Sequence, residues 1–173
     1  VEANLVKAYH LDEPLVQQFA RYIGDMLQGD FGPSFKYKDF SVNELIWGGF
    51  PTSAALGGIA MLLAVILGMA AGTIAALRQN SAIDYAAMTV SMIGIAIPSF
   101  VVAPILTLTL GLWAGWFPVG GWGEARHWVL PIVALALLPI ANIARLTRGS
   151  MIEVLRSNYM RTARAKGLSE RIV

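Results

Sequence analysis

The residues that could do covalent chemistry are few and poorly placed for it. The 173-residue chain has no cysteine, which excludes disulfides, zinc–thiolate sites, iron–sulfur clusters and thiol catalysis. His127 stands beside Trp128 with no metal-ligand constellation and no nucleophile around it, so it reads as a surface or interfacial residue. Ser91 and Ser99 fall in a long uncharged stretch that offers no His, Asp or Lys to activate a hydroxyl, so an intramembrane protease would lack its base. No G-x-x-x-x-G-K-[ST] phosphate loop occurs, so any ATP hydrolysis must belong to another chain. No catalytic residue, cofactor, metal or nucleic-acid partner is expected.

What remains is a cluster of cations near the end of the chain. "SNYMRTARAKG" reads as a short helix that Ser157 or Asn158 can cap. Arg164 and Lys166 lie near its C-terminus, where positive charge complements the helix dipole. Gly167 suits a left-handed C′ position and Leu168 the hydrophobic C″ position after it. Ser169 can then cap a second helix beginning at Glu170. Tail charges of this sign also follow from the positive-inside rule, but that rule does not explain a glycine between two short helices.

These residues need elements to hold them. Hydrophobic residues make up 56% of the chain and charged ones only 14%, against about 25% charged in soluble domains. Residues 1–51 hold eleven charges and residues 85–123 hold none. That segregation predicts a polar segment, 1–51, joined to a membrane domain over 52–147, with a polar region over 148–173. In the first segment Leu15, Phe19, Tyr22, Ile23, Met26 and Leu27 share a helical face, with Asp12 as a start signal. Such a helix lies on the membrane or on its own subunit, or else binds a partner. The Gly/Pro-rich stretch 28–45 carries aromatics suited to interfacial anchoring.

Three spans are predicted, at about 52–77, 85–116 and 129–147. The first is uncharged, with Pro51 and Thr52 in its first turn and Gly68 and Gly72 at the spacing that permits close helix contact. Ser81 and Asp84 form a capping box for the next helix. The second stretch is too long for one straight span, and Pro98 and Pro104 are expected to kink or interrupt it. Pro98, Ser99 and Phe100 form a candidate pathway-lining bend, because broken helices at membrane depth occur inside protein or beside a wet cavity. A kink that serves packing alone fits the same residues. In the third span Pro131 suits the first turn, Pro139 produces a kink, and the span is short unless it continues past Arg145.

Loop 78–84 and residues 145–173 together carry eight Lys/Arg, and loop 117–128 carries only Arg126. The tail is therefore expected in the cytoplasm and residues 1–51 outside. Val1 is not an initiator methionine, no signal peptide is visible, and the apolar pattern is cut at Ile172 and Val173. A fragment open at both ends is the expectation.

The cationic tail resembles the cytoplasmic loop of importer-type ABC transporter permeases. That loop has a Glu-Ala-Ala-x-x-x-Gly pattern. Here it reads Arg161-Thr162-Ala163-Arg164-Ala165-Lys166-Gly167. Ala163 and Gly167 match, Arg161 and Thr162 depart, and "RTARAKGL" is similar to the peptide-permease version. "LVQQFARYIGDMLQGDFGPSF", "IPSFVVAPIL", "WFPVGGW" and "LPIVALALLPIANIARLTRGSMIEVL" resemble the peptide/nickel permease family in order. "GDFGPSFKYKDFSVNEL" resembles the first permease subunit of bacterial oligopeptide importers in particular.

The resemblance implies an all-α, polytopic bundle of the type I ABC importer permease kind. It would be a six-span subunit of the bacterial inner membrane, of which this chain holds spans two to four. The implied partners are a second permease subunit, cytoplasmic ATP-binding subunits and an external substrate-binding protein. The tail would be a rigid knob, residues 161–167, that docks in a cleft of the ATPase. A helical scaffold or channel piece without an ATPase is the alternative. The exact substrate stays open.

Overall fold

The computed structural model describes residues 13–37, 39–170 and 172. Asp12 lies outside the described residues. Among the described residues six α-helices follow one another: α1 (Leu15–Leu27), α2 (Val42–Leu77), α3 (Ala82–Ala96), α4 (Ser99–Leu106), α5 (Ala125–Leu155) and α6 (Asn158–Ala165). A π-helical segment, Thr107–Trp113, continues α4. The chain divides into two compact units, Val1–Ala54 and Ala55–Val173.

In the first unit, α1 begins behind Pro14, whose carbonyl accepts from the Gln17 and Gln18 amides. Its apolar residues cover an arc of about 160° at ~100° per residue. Leu15, Phe19, Tyr22 and Leu27 on that arc are all exposed. The loop behind α1 closes through Asn43, which accepts from the Phe31 amide and donates to the Gly29 carbonyl.

α2 starts ten residues before Thr52, so Pro51 sits inside it and not in its first turn. The reason is a reciprocal cap. Ser41 Oγ accepts from the Glu44 amide at 3.1 Å, and the Glu44 carboxylate accepts from the Ser41 amide at 2.8 Å. Two free amides are satisfied there, and the proline further in is tolerated.

In the second unit the core is built of small residues. Ala60, Ala64, Gly68, Gly72, Ala75 and Ala76 of α2 are buried, as are Leu130, Ala134, Ala136, Ala141 and Ala144 of α5. A Cβ on Gly68 would lie 2.8 Å from Ile143 Cβ, and one on Gly72 would run into the Ala144 carbonyl. The two helix backbones therefore touch where the glycine spacing predicts it. In lipid, where burial of apolar surface gives no drive between helices, such contact is what holds a bundle together. α3 and α4 pack against α5 as well.

α5 is one helix of 31 residues. It starts before Pro131, runs through Pro139 and continues ten residues past Arg145. At 1.5 Å per residue it is about 46 Å long, well beyond a bilayer core of about 30 Å. α2 and α5 are each long and apolar enough to cross a membrane, and α3 with α4 and the π segment makes a third crossing if that bent pair is one span.

Candidate functional site

α6 is positioned by its two ends. Ser157 occupies the N-cap position, but its hydroxyl donates to the Val154 carbonyl at 2.6 Å instead of capping α6. This bond ties the start of α6 to the last turn of α5. At the other end the Gly167 amide donates to the Arg164 carbonyl at 2.9 Å and the Leu168 amide to the Ala163 carbonyl at 3.3 Å. That pair of bonds is a Schellman motif, and Gly167 at φ +82° supplies the left-handed residue it requires. The Arg164 guanidinium then reaches over the turn to both carboxylate oxygens of Glu170, at 3.0 and 3.3 Å. Beyond the glycine the described residues form a turn, Ile172 amide to Ser169 carbonyl. The second helix expected from Glu170 involves Arg171 and Val173, which lie outside the described residues.

Only Met160 of α6 is buried, at 7% exposure. Arg161, Thr162, Arg164, Ala165, Lys166 and Gly167 are exposed and Ala163 is half-buried. The result is a short, stiff, cationic protrusion with one methionine as its root. Three cations within two turns, with a closed glycine turn at the tip, make a surface suited to an acidic or polar cleft.

Behind this protrusion lies a pair that the sequence reading did not join. Ser81 caps α3 as expected, accepting from the Asp84 amide at 3.4 Å. The Asp84 carboxylate does not complete a capping box. One oxygen accepts from Arg148 Nε at 2.5 Å, and the other accepts from Arg148 Nη2 at 2.7 Å and from the Asn80 amide at 2.9 Å. Asp84 is 1% exposed and Arg148 25%. A buried carboxylate is tolerated only when its charge and lone pairs are met in this way. Asn80 adopts φ +61°, the left-handed conformation that aims its amide inward. The partners are 64 positions apart, so local pattern could not pair them. The available signal was a lone acid and an arginine at the same predicted membrane face, where an unmatched charge is costly.

The predicted bend occurs where Pro98 stands. α3 ends at Ala96, Ile97 and Pro98 are extended, and α4 starts at Ser99, with the two helices turned by 102°. Ser99 and Phe100 are exposed at the start of α4. Pro104 does not break α4. The widened π segment begins three residues later, where the Thr107 and Thr109 hydroxyls donate to the Ala103 and Ile105 carbonyls. An open apolar hollow of about 590 Å³ lies along Ala103, Pro104, Thr107, Leu108, Leu112 and Val119. Bend and protrusion occupy different elements. Asp84 is about 18 Å down α3 from the bend.

His127 is half-buried against Gly121, and its Nδ1 is buried. Trp122 and Trp128 stack beside it at 4.9 Å. No group of acids and histidines able to hold a metal exists among the described residues.

Residues 64–172 match the family described as binding-protein-dependent transport system inner membrane component. The chain belongs to this family. The matched range takes in the last 14 of the 36 residues of α2, the bend, the Asp84–Arg148 pair and the whole of α6. The chain is an all-α bundle of the type I importer permease kind and a multi-pass protein of the inner membrane. It is 56% identical over 173 residues to the oligopeptide transport system permease protein OppB of Escherichia coli (strain K12). OppB of Haemophilus influenzae (strain ATCC 51907 / DSM 11121 / KW20 / Rd) is 54% identical over 98% of this chain. The dipeptide transport system permease protein DppB of Bacillus subtilis (strain 168) is 48% identical over 98% of it. The chain spans 56% of the length of the first two relatives and 55% of the third.

Proposed function

We propose that this chain is part of a permease subunit of an ATP-driven importer and that its cargo is oligopeptides. It does no covalent chemistry of its own. ATP is hydrolysed on cytoplasmic ATP-binding subunits, a second permease subunit completes the pathway, and an external binding protein delivers the peptide. Residues 1–51 face outward, spans at about 52–77, 85–116 and 129–147 cross the bilayer, and residues 148–173 face the cytoplasm. Residues 161–167 dock into the ATPase, and Pro98, Ser99 and Phe100 line the pathway where the span turns.

The observation that carries this reading is the protrusion itself. A cationic helix closed by a Schellman turn, tied by Ser157 to the end of a long apolar helix and with Met160 buried, occurs in a chain of the transport family. Its identity with two oligopeptide permeases favours peptide as cargo.

The test is reconstitution of the full-length protein with its partners in vesicles. ATP-dependent uptake of oligopeptides that requires the binding protein is the expected result. A purified protein that carries no ATPase and leaks solutes without ATP would favour the channel or scaffold reading instead.

A further inference from the structure

α5 and its C-cap residue hold the connection from α2 to the first turn of α3 at two points. Arg148 holds Asp84, and Arg156, two turns further on, donates to the Gln79 side chain at 3.0 Å. The two anchors are eight residues apart, about 12 Å of helix. They grip both ends of the segment 79–84. That segment is already stiff, because Asn80 and Ser81 bind Asp84 from its own side. Two residues after Arg156 the chain becomes α6.

We infer that Asp84 and Arg148 are positioning residues that carry motion from α6 to the bent span. This inference rests on the importer reading above and adds to it a route inside the subunit. Force on α6 first reaches α5, since Ser157 ties the two helices together. α5 packs against α3 directly where Gly94 faces Ala141, and at α3's first turn the bidentate Asp84–Arg148 pair makes the link. Asp84 is the third residue of α3, and α3 runs without interruption from there to the turn at Ile97 and Pro98. A displacement of α5 therefore moves α3 as a lever whose far end is the bend. Arg156 is exposed and Gln79 half-buried, and their bond acts as a secondary guide. The Asp84–Arg148 pair is the stiff joint, because Asp84 is buried and both of its oxygens are held by Arg148.

The experiment uses the complete importer in vesicles and reads peptide imported per ATP hydrolysed. Asp84→Asn and Arg148→Gln should each lower that ratio about fivefold or more, the size of an ordinary coupling between sites. The reversed pair, Asp84→Arg with Arg148→Asp, should restore much of it. A purely structural role predicts less assembled complex with an unchanged ratio per complex, and that result overturns the inference. So does a reversed pair no better than the single variants.

A second measurement needs no destabilising change. Spin labels on cysteines at the exposed positions Ala82 and Glu153 should give the same distance distribution with and without trapped ATP. A shift between those states means α3 and α5 move apart, and the inference fails. A wild-type assembly that shows no ATP-driven import would sink the importer reading, and this inference with it.

Discussion

A glycine matters here where another atom has no room or where the backbone turns left-handed, and the two cases make different predictions. Gly72 is the first. Its missing Cβ is the space occupied by the Ala144 carbonyl and Thr147. Gly72→Ala should push α2 from α5 and cost about 1–3 kcal/mol, as overpacking does. Gly57→Ala, where a Cβ meets nothing within 4 Å, should be near neutral. Thermal melts of the full-length subunit in detergent compare the two directly. Equal melting temperatures would mean that the α2–α5 seam is looser than described. Gly167 is the second case. Nothing crowds it, but its φ of +82° is one that a β-branched residue resists. Both roles were legible in the sequence, from small-xxx-small spacing and from the glycine at a helix end. The role of Asp84 was only half legible. Its cap through Ser81 is a local pattern, and its ion pair with Arg148 is a fact of tertiary packing.

At the scale of elements, the helices carry their assignment in composition and lose it at their edges. Replacing Val65, well inside α2, by Arg should raise the cost of membrane insertion by about 2.5–3.5 kcal/mol on translocon scales. A glycosylation-mapping assay of the span would read this as a loss of the inserted form. Unchanged insertion would remove α2 from the list of spans. The core of each long helix was readable as an uncharged apolar run. The starts of α2 and α5 lie earlier than first-turn prolines would put them, because Pro51 and Pro131 sit inside these helices. Prolines of that kind are common inside apolar helices, where neighbouring groups satisfy the freed carbonyls. The true start of α2 had its own signature, Ser41 and Glu44 three apart, standing one turn before the apolar run. Pro98 was a sound marker because the chain turns by 102° there. Pro104 was not, since the helix widens into a π segment in place of breaking. Proline identity alone does not separate these outcomes.

At the scale of the molecule, the distribution of Lys and Arg sets a sidedness. Loop 78–84 and residues 145–173 carry eight Lys/Arg and loop 117–128 carries one, so Ser41 should face outward and Ser169 inward. Single cysteines at these positions in the full-length protein, probed with an impermeant label on intact cells, should react only at 41. Labelling at 169 alone would invert the orientation. The central claim is that α6 couples the bundle to an ATPase, and one measurement addresses it most directly: peptide uptake and substrate-stimulated ATP hydrolysis by the reconstituted importer carrying Gly167→Val or Ala163→Glu. The first strains the left-handed turn that closes α6. The second puts an acid among Arg161, Arg164 and Lys166, beside the carbonyl that ends the helix. Both should leave the spans inserted, because α6 follows α5 beyond its apolar run. Both should lower uptake about tenfold or more, in keeping with a coupling free energy of about 1–3 kcal/mol, by weakening ATPase binding or by letting hydrolysis run without transport. Wild-type uptake and stimulation in both variants would contradict the claim and leave the tail's charges as topology signals only.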